Sequence, residues 1–587
     1  MRKNLYSLIA ALIIFTGACN KRDTSYHEPA DNAFGAFQEE FLDAYWKQYP
    51  SASIFIGYGK YYDTLVIPSN EAAAATIRFS RRWLDSLKAL PYDQLHDNNK
   101  ISFNIIKNQL ETDIWYQEVF KKDEWDASGY NLSGTSFYIL NQPYAPLVDR
   151  LRILSKHLQH SDVYYDTALK RLRQPTREHI ELAILQNEGG ISVFEESLQD
   201  SIDASHLTDS EKKVLRENVE KTVQAIRQFI QALKNILSEK GYTFRSFRIG
   251  KKLFDEKFGY DLVTTFTPDE IYNRAAADKK VYHRTMFGLA ERLWPKYYGS
   301  QKKPTDTLSI IRSVIDKIDL QHAAPEHFFD SLTNHVRRLK QFILEKDLFD
   351  FDTAYPMKVR IMPAYLRGVS VANAEFTPPY QTKGVTYYNI DDLTQYPKDK
   401  AESTLREYNT YSSQLLSIHE AVPGHCLQGI YNNKNSPDVV RSVFMNGTMV
   451  EGWAVYTEGM MLENGWGNHS LEMELIHGKW KLRELSNVMV DYDLHVHNRS
   501  RESIMKLLVE ECFQTQAQAE EKYHRATVSQ VQLCSYYSGY LAIESLREEY
   551  KRQMGDKYTI KDFHEKFLSF GSSPIKYIRD QMLTEIQ

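Results

Sequence analysis

The sequence predicts a mostly α-helical protein, a large helical fold with one small β-sheet just upstream of its chemically richest segment. Three observations predict it. Apolar residues recur at helical spacing over most of the chain, capping signatures open several of those stretches, and a single short region alternates as strands do.

The first residues read as an address. In MRKNLYSLIAALIIFTGAC, Arg2 and Lys3 precede an apolar run from Leu8 to Phe15, far short of the roughly 20 residues that cross a bilayer. Thr16-Gly17-Ala18 then places small residues before Cys19, which resembles a lipobox. Residues 1–18 are therefore expected to be a lipoprotein signal peptide, Cys19 the lipidated residue, and 19–32 a tether. The alternative is an ordinary secretory signal with an incidental cysteine. The expected location is the cell envelope, anchored by lipid and facing the periplasm.

Residues 33–587 are expected to form a single helical domain. Phe103, Ile106, Leu110 and Ile114 share one helix face. Thr208–Glu211 and Thr267–Glu270 are capping boxes, the second with Pro268 at the first helical position. A helix opening at Gln174-Pro175-Thr176 is expected to end before Gly189-Gly190. The proline-free run from Leu471 to Leu508 is expected to be one long helix. The β element is placed at about 356–392, where Lys358–Met362 and Gly384–Ile390 alternate with β-branched residues, and reads as a small sheet or hairpin.

Composition excludes several classes. A chain of 587 residues with 42% hydrophobic content can bury a large core, and 25% charged residues is too ordinary for wholesale disorder. The net charge of −5 argues against a nucleic-acid binder. The 38 tyrosines suit a carbohydrate or peptide surface, or simply a Tyr-rich core. Cys426, Cys512 and Cys534 form no CxxC pair, which argues against a thiolate metal site.

The chemistry concentrates between residues 415 and 540, with metal-site helices expected at about 405–465. His419-Glu420-Ala421-Val422-Pro423-Gly424-His425 offers two imidazoles for an ion and a carboxylate, Glu420, to take a proton from the water the ion activates. In the common H-E-x-x-H spacing the two histidines lie about 40° apart around a helix; at six residues they lie about 240° apart. A regular helix would separate them, but Pro423 and Gly424 permit a kinked or broken turn that swings His425 back. The alternative is two histidines at a helix end. Glu451, 26 residues beyond His425, is the candidate third ligand from another helix. Glu458, seven residues further on the same face, is the candidate partner orienting a ligand histidine, and Gly452 is expected to let this helix pack closely on the first.

HEAVPGH followed by EGWAVYTE resembles the signature of bacterial domain-of-unknown-function family 885, whose members look like gluzincin-type zinc metallopeptidases related in architecture to helical carboxypeptidases and oligopeptidases. Pro378-Pro379 through Tyr387-Tyr388-Asn389, Val490–His495 and Leu533–Gly539 resemble further family blocks, as do Tyr49-Pro50, Gly57 and Tyr61-Tyr62-Asp63. The resemblance implies that His419, His425 and Glu451 hold Zn²⁺, that Glu420 is the general base, and that Tyr536 donates its hydroxyl to the oxyanion, with His495 sharing that task or binding substrate. The chain departs from the pattern on the substrate side: Asp493 replaces a glycine, and Val528-Ser529-Gln530 replaces P-G-Q. Tyr387, Tyr388 and Asn389 are expected to bind substrate, Tyr387–Asp391 offering a strand edge to an extended peptide, or else to form a structural hairpin.

The expected function is that of a lipid-anchored, zinc-dependent peptidase acting on peptide substrates, with no nucleic-acid partner. The alternative is a non-catalytic surface lipoprotein that binds glycans or peptides, which has no reason to carry the metal constellation.

Overall fold

The computed structural model describes residues 28–351, 356–363, 370–381 and 384–586. Cys19, the signal peptide and the start of the tether lie outside the described residues. The first helix, α1 (Glu28–Gln48), begins inside the stretch read as tether, because Ala30 and Phe34 already pack into the core. The tether thus ends earlier than 32. One face of α1 carries Phe34, Phe41, Tyr45 and Trp46; the last three rings gather around Phe444, which tethers the N-terminal helix to the segment leading into the metal-site helices. Helices α2 (Asn70–Lys88) and α3 (Asp97–Trp115) pack together beside it, with Phe103, Ile106 and Leu110 buried.

The apolar interior divides into two clusters. The smaller holds Ile54, Tyr62 and residues between Ala127 and Leu233, centred on α4 (Asp209–Ser238) and the shorter helices packed on it. The larger contains everything around the candidate site. Both capping boxes form as expected, at the start of α4 and of α5 (Pro268–Tyr298). The helix after Thr176 runs on through Gly190, further than expected. Gly190 serves there not as a left-handed stop but as a close approach: a Cβ would lie 2.2 Å from Ser133 Oγ.

The β element is the small sheet expected, and not a hairpin. β1 (Met357–Ile361) and β3 (Thr386–Ile390) are parallel, and a short strand between them in sequence, β2 (Ala372–Glu375), pairs antiparallel with β3, giving the order β1-β3-β2. β2 reads Ala-Asn-Ala-Glu, residue types depleted in strands, so its sequence carries no strand signal. The sheet lies against α6 (Ser412–Glu420) and α7 (His425–Asn435), which are followed by α8 (Gly447–Glu463).

The long helix expected from Leu471 to Leu508 is broken. α9 (Leu471–His495) stops where Asn498 turns left-handed at φ 56°, and Ser500 caps a new helix by accepting from Ser503 N. From Leu475 to His495 every residue of α9 except His477 and Arg483 is buried. A helix buried all round must pair its charges. Lys481 sits 3.2 Å from Glu484, and Lys479 sits 3.2 Å from Glu407 and 3.3 Å from Asp319. α5 covers one side of α9, while α10 (Gln516–Val528) and α11 (Ser535–Met554) cover others.

His564 shows how this interior responds to acid. Its ring stacks on Phe349, Nε2 lies 2.8 Å from Tyr456 Oη, and Nδ1 lies 3.3 Å from the Leu348 carbonyl. That arrangement suits a neutral ring that donates to Leu348 and accepts from Tyr456. Burial pushes its pKa down to about 3. The unfolded chain takes up this proton as pH falls below about 6.5 and the folded chain does not, so the group costs stability as pH falls from there toward 3. His564→Gln is therefore expected to lose less stability on acidification. Between pH 7.5 and 5 the wild-type-minus-variant difference in unfolding free energy should move by about 2 kcal/mol toward the variant. Denaturant titrations at the two pH values measure it, and a pH-independent difference refutes the neutral-ring assignment.

Candidate metal centre

His419 lies in the last turn of α6, whose residues Ser412–Ile418 are all buried, so the helix delivers its C-terminal end into the interior. The chain then turns through 421–424. Val422 N donates to Ser417 O and Gly424 N to Ile418 O, the Val422–Pro423 peptide is cis, and Trp453 Nε1 donates to Pro423 O at 2.9 Å. At Gly424 a Cβ would lie 1.9 Å from His419 O and 2.4 Å from Ile418 O. Only glycine allows the chain to fold back this tightly. α7 then starts at His425. The six-residue spacing thus becomes a side-by-side pair, with ring centroids 4.8 Å apart and planes at 86°.

α8 supplies two carboxylates on one face. Glu451 Oε2 lies 3.6 Å from His425 Nε2 and 4.0 Å from His419 Nε2. Glu458 Oε1 lies 2.7 Å from His419 Nδ1 and also accepts from Trp480 Nε1 at 3.0 Å. With Nδ1–H donating to Glu458, the Nε2 lone pair of His419 points toward Glu451 and His425. Gly452 does not serve the first helix as expected. It packs on Gly539 of α11, where a Cβ on Gly452 would lie 2.4 Å from the Gly539 backbone. This crossing seats α11, and with it Tyr536, next to Glu451.

The donor set fits a divalent ion. Nitrogen and oxygen ligands about 2.0–2.2 Å from a tetrahedral ion stand about 3.4 Å apart, close to the separations here and too long for direct hydrogen bonds. One ligand atom each from His419, Glu420 and His425 also lies within 4.8 Å of the others. The local field favours positive charge. Burial works to lower His425, yet Glu451 and Glu420 raise it to about 9. Burial and the neighbouring His425 charge lower His419. Imidazole and carboxylate donors accept zinc among other divalent ions.

Of the three neighbouring tyrosines only Tyr536 faces this centre. It is half-buried, burial followed by the Glu451 charge raises its pKa, and its hydroxyl accepts from Arg525 Nη2 at 3.2 Å. Tyr537 is tied to Asp278, and Tyr540 lies under the Lys481 ammonium. His495 does not join the cluster. It is fully buried between Phe247 and Phe254, and its Nε2 faces the carbonyls of Ala526 and Ser529 at 2.9 and 3.3 Å. It braces the turn between α10 and α11 instead of presenting a free ring to substrate.

The strand expectation is corrected as well. β3 is the central strand, so the backbone of Tyr387, Tyr388 and Asn389 is spent on β1 and β2. Tyr388 is buried with its hydroxyl 3.4 Å from Ser417 Oγ, and Asn389 is buried among Arg360, Asn373 and Glu375. Only Tyr387 is partly exposed, beneath the Arg360 guanidinium. Sequence reasoning also missed Trp480 and Arg525: Trp480 stands 22 residues from Glu458, which leaves no local signal, while Trp453, inside the EGWAVYTE motif, was read as a sign of burial and not as the donor to Pro423 O.

Fold and site together define a large helical protein with a half-enclosed His-His-Glu cluster of metal-site geometry. The chain belongs to the family described as "Bacterial protein of unknown function (DUF885)", which matches residues 50–582. A solved structure from Shewanella oneidensis, described as a candidate lipoprotein of unknown function, is 40% identical with a TM-score of 0.85, covering 94% of this chain and 99% of that one. A second, described as a candidate lipoprotein from Colwellia psychrerythraea, shares the fold at 15% identity and a TM-score of 0.77, covering 95% of this chain and 99% of that one. No curated protein matches. Among the described residues no helix is long and apolar enough to cross a membrane.

Proposed function

We propose that this protein is a zinc-dependent peptidase of the cell envelope. The observation that carries the reading is that Glu451 Oε2 approaches His425 Nε2 to 3.6 Å and His419 Nε2 to 4.0 Å, with Glu420 beside them and Glu458 fixing the His419 tautomer. A zinc ion held by His419, His425 and Glu451 would supply the Lewis acid that activates water and polarises the scissile carbonyl. Glu420 accepts the proton of the attacking water and delivers it to the leaving amine. Tyr536, whose raised pKa keeps it protonated at neutral pH, donates its hydroxyl to the developing oxyanion. An extended peptide has β2 as its docking edge in place of β3: β2 has β3 as its one strand partner among the described residues and lies against α6. The description of the two similar structures as candidate lipoproteins supports an envelope location through lipidation at Cys19.

The test is mass spectrometry of a mixed peptide library incubated with residues 20–587, with and without a zinc chelator. Cleavage that stops on chelation and returns on zinc addition is expected. A zinc-loaded protein that leaves the whole library intact overturns the proposal.

A further inference from the structure

Arg525, in the last turn of α10, lies beside the centre with its charge unpaired. Lys479 and Lys481 are each paired with carboxylates. Among the described residues the Arg525 guanidinium forms no salt bridge. Its hydrogen bonds go to neutral acceptors, Gln532 Oε1 at 2.7 Å and the Tyr536 hydroxyl at 3.2 Å, both through Nη2. Among the described residues Nε and Nη1 have no hydrogen-bond partner. The group is exposed, and its Cζ lies 5.9 Å from the Tyr536 ring centroid. The guanidinium therefore stands beside Tyr536, held in place by two side chains and unneutralised.

Two carboxylates, Glu420 and Glu451, stand partly exposed at the centre. A substrate carrying its own carboxylate there needs a fixed cation to offset them. In a peptide cut at its last bond, the terminal carboxylate lies about one Cα–Cα step, ~3.8 Å, beyond the scissile carbonyl. Arg525 touches the hydroxyl assigned to that carbonyl's oxyanion, so it is one residue removed from the chemistry. Its planar fork suits a carboxylate. We infer that Arg525 receives the free terminal carboxylate of the substrate, so that the protein removes residues from peptide C-termini. This rests on the peptidase reading above.

The experiment compares kcat/KM for matched peptides ending in a free acid or an amide. Wild type, Arg525→Ala and Arg525→Lys are each loaded with zinc and checked for fold by circular dichroism. Wild type is expected to prefer the acid by about 10- to 100-fold, the range for a hydrogen-bonded charge contact. In Arg525→Ala the preference should collapse to within about threefold of unity, and Arg525→Lys should retain part of it, since the charge remains and the fork is lost. A wild type indifferent to the terminus overturns the inference and leaves the peptidase reading standing. So does an acid preference that survives in Arg525→Ala, which would reduce Arg525 to an orienter of Tyr536. A wild type that cuts neither form of any peptide overturns the peptidase reading and this inference together.

Discussion

Glu420→Gln is expected to bind zinc as tightly as wild type and to lose turnover by about 10²- to 10⁴-fold, the range a positioned general base contributes. The substitution keeps the size of the side chain and removes the basic oxygen. The expected ligands are untouched, because His419, His425 and Glu451 converge without it. His419 also keeps its orientation, which Glu458 sets from the opposite ring nitrogen. Metal content by elemental analysis and turnover on a peptide that the wild type cleaves are the two readouts. A variant with full turnover removes Glu420 from the mechanism. A variant that loses zinc makes Glu420 a ligand, which its place within 4.8 Å of both histidine nitrogens allows geometrically.

The second large effect is steric. Gly424→Ala is expected to weaken zinc binding by at least about 100-fold and to destabilise the fold by about 3 kcal/mol or more. Its Cβ would fall 1.9 Å from His419 O and 2.4 Å from Ile418 O. Both neighbours are backbone atoms of the helix that carries His419, so neither can rotate away. The turn must open, and His425, the next residue, moves with it. Gly447→Ala is the matched control: nothing lies within 4 Å of a Cβ there, and the substitution sits at the start of α8, where alanine favours the helix. Chelator competition and denaturant unfolding read both variants. Wild-type zinc affinity in Gly424→Ala refutes the claim that this glycine builds the site.

Much of the architecture was legible because it is local. Capping boxes are decided within four residues, and Thr208–Glu211 and Thr267–Glu270 formed where the sequence put them. The helix break after His495 was not legible, since no proline or glycine marks it and Asn498 performs the turn. β2 was missed because Ala-Asn-Ala-Glu becomes a strand only through its partner, β3. That omission led directly to the misplaced substrate edge: without β2, β3 looks like an edge.

The sequence by itself determined the residue types of the site, the helices that carry them, and the need for a broken turn between His419 and His425. These follow from spacing against a 3.6-residue period and from the chemistry of imidazole and carboxylate. Only the tertiary structure decided which far-separated groups meet. The Gly452–Gly539 contact sets Tyr536 beside Glu451, Trp480 steadies Glu458, and Arg525 reaches Tyr536 across a turn. The same packing that brought these together closed His495 into the core. The physical reason is that a side chain's partners across the fold depend on helix crossings and close backbone approach, and neither has a period that can be read along the chain.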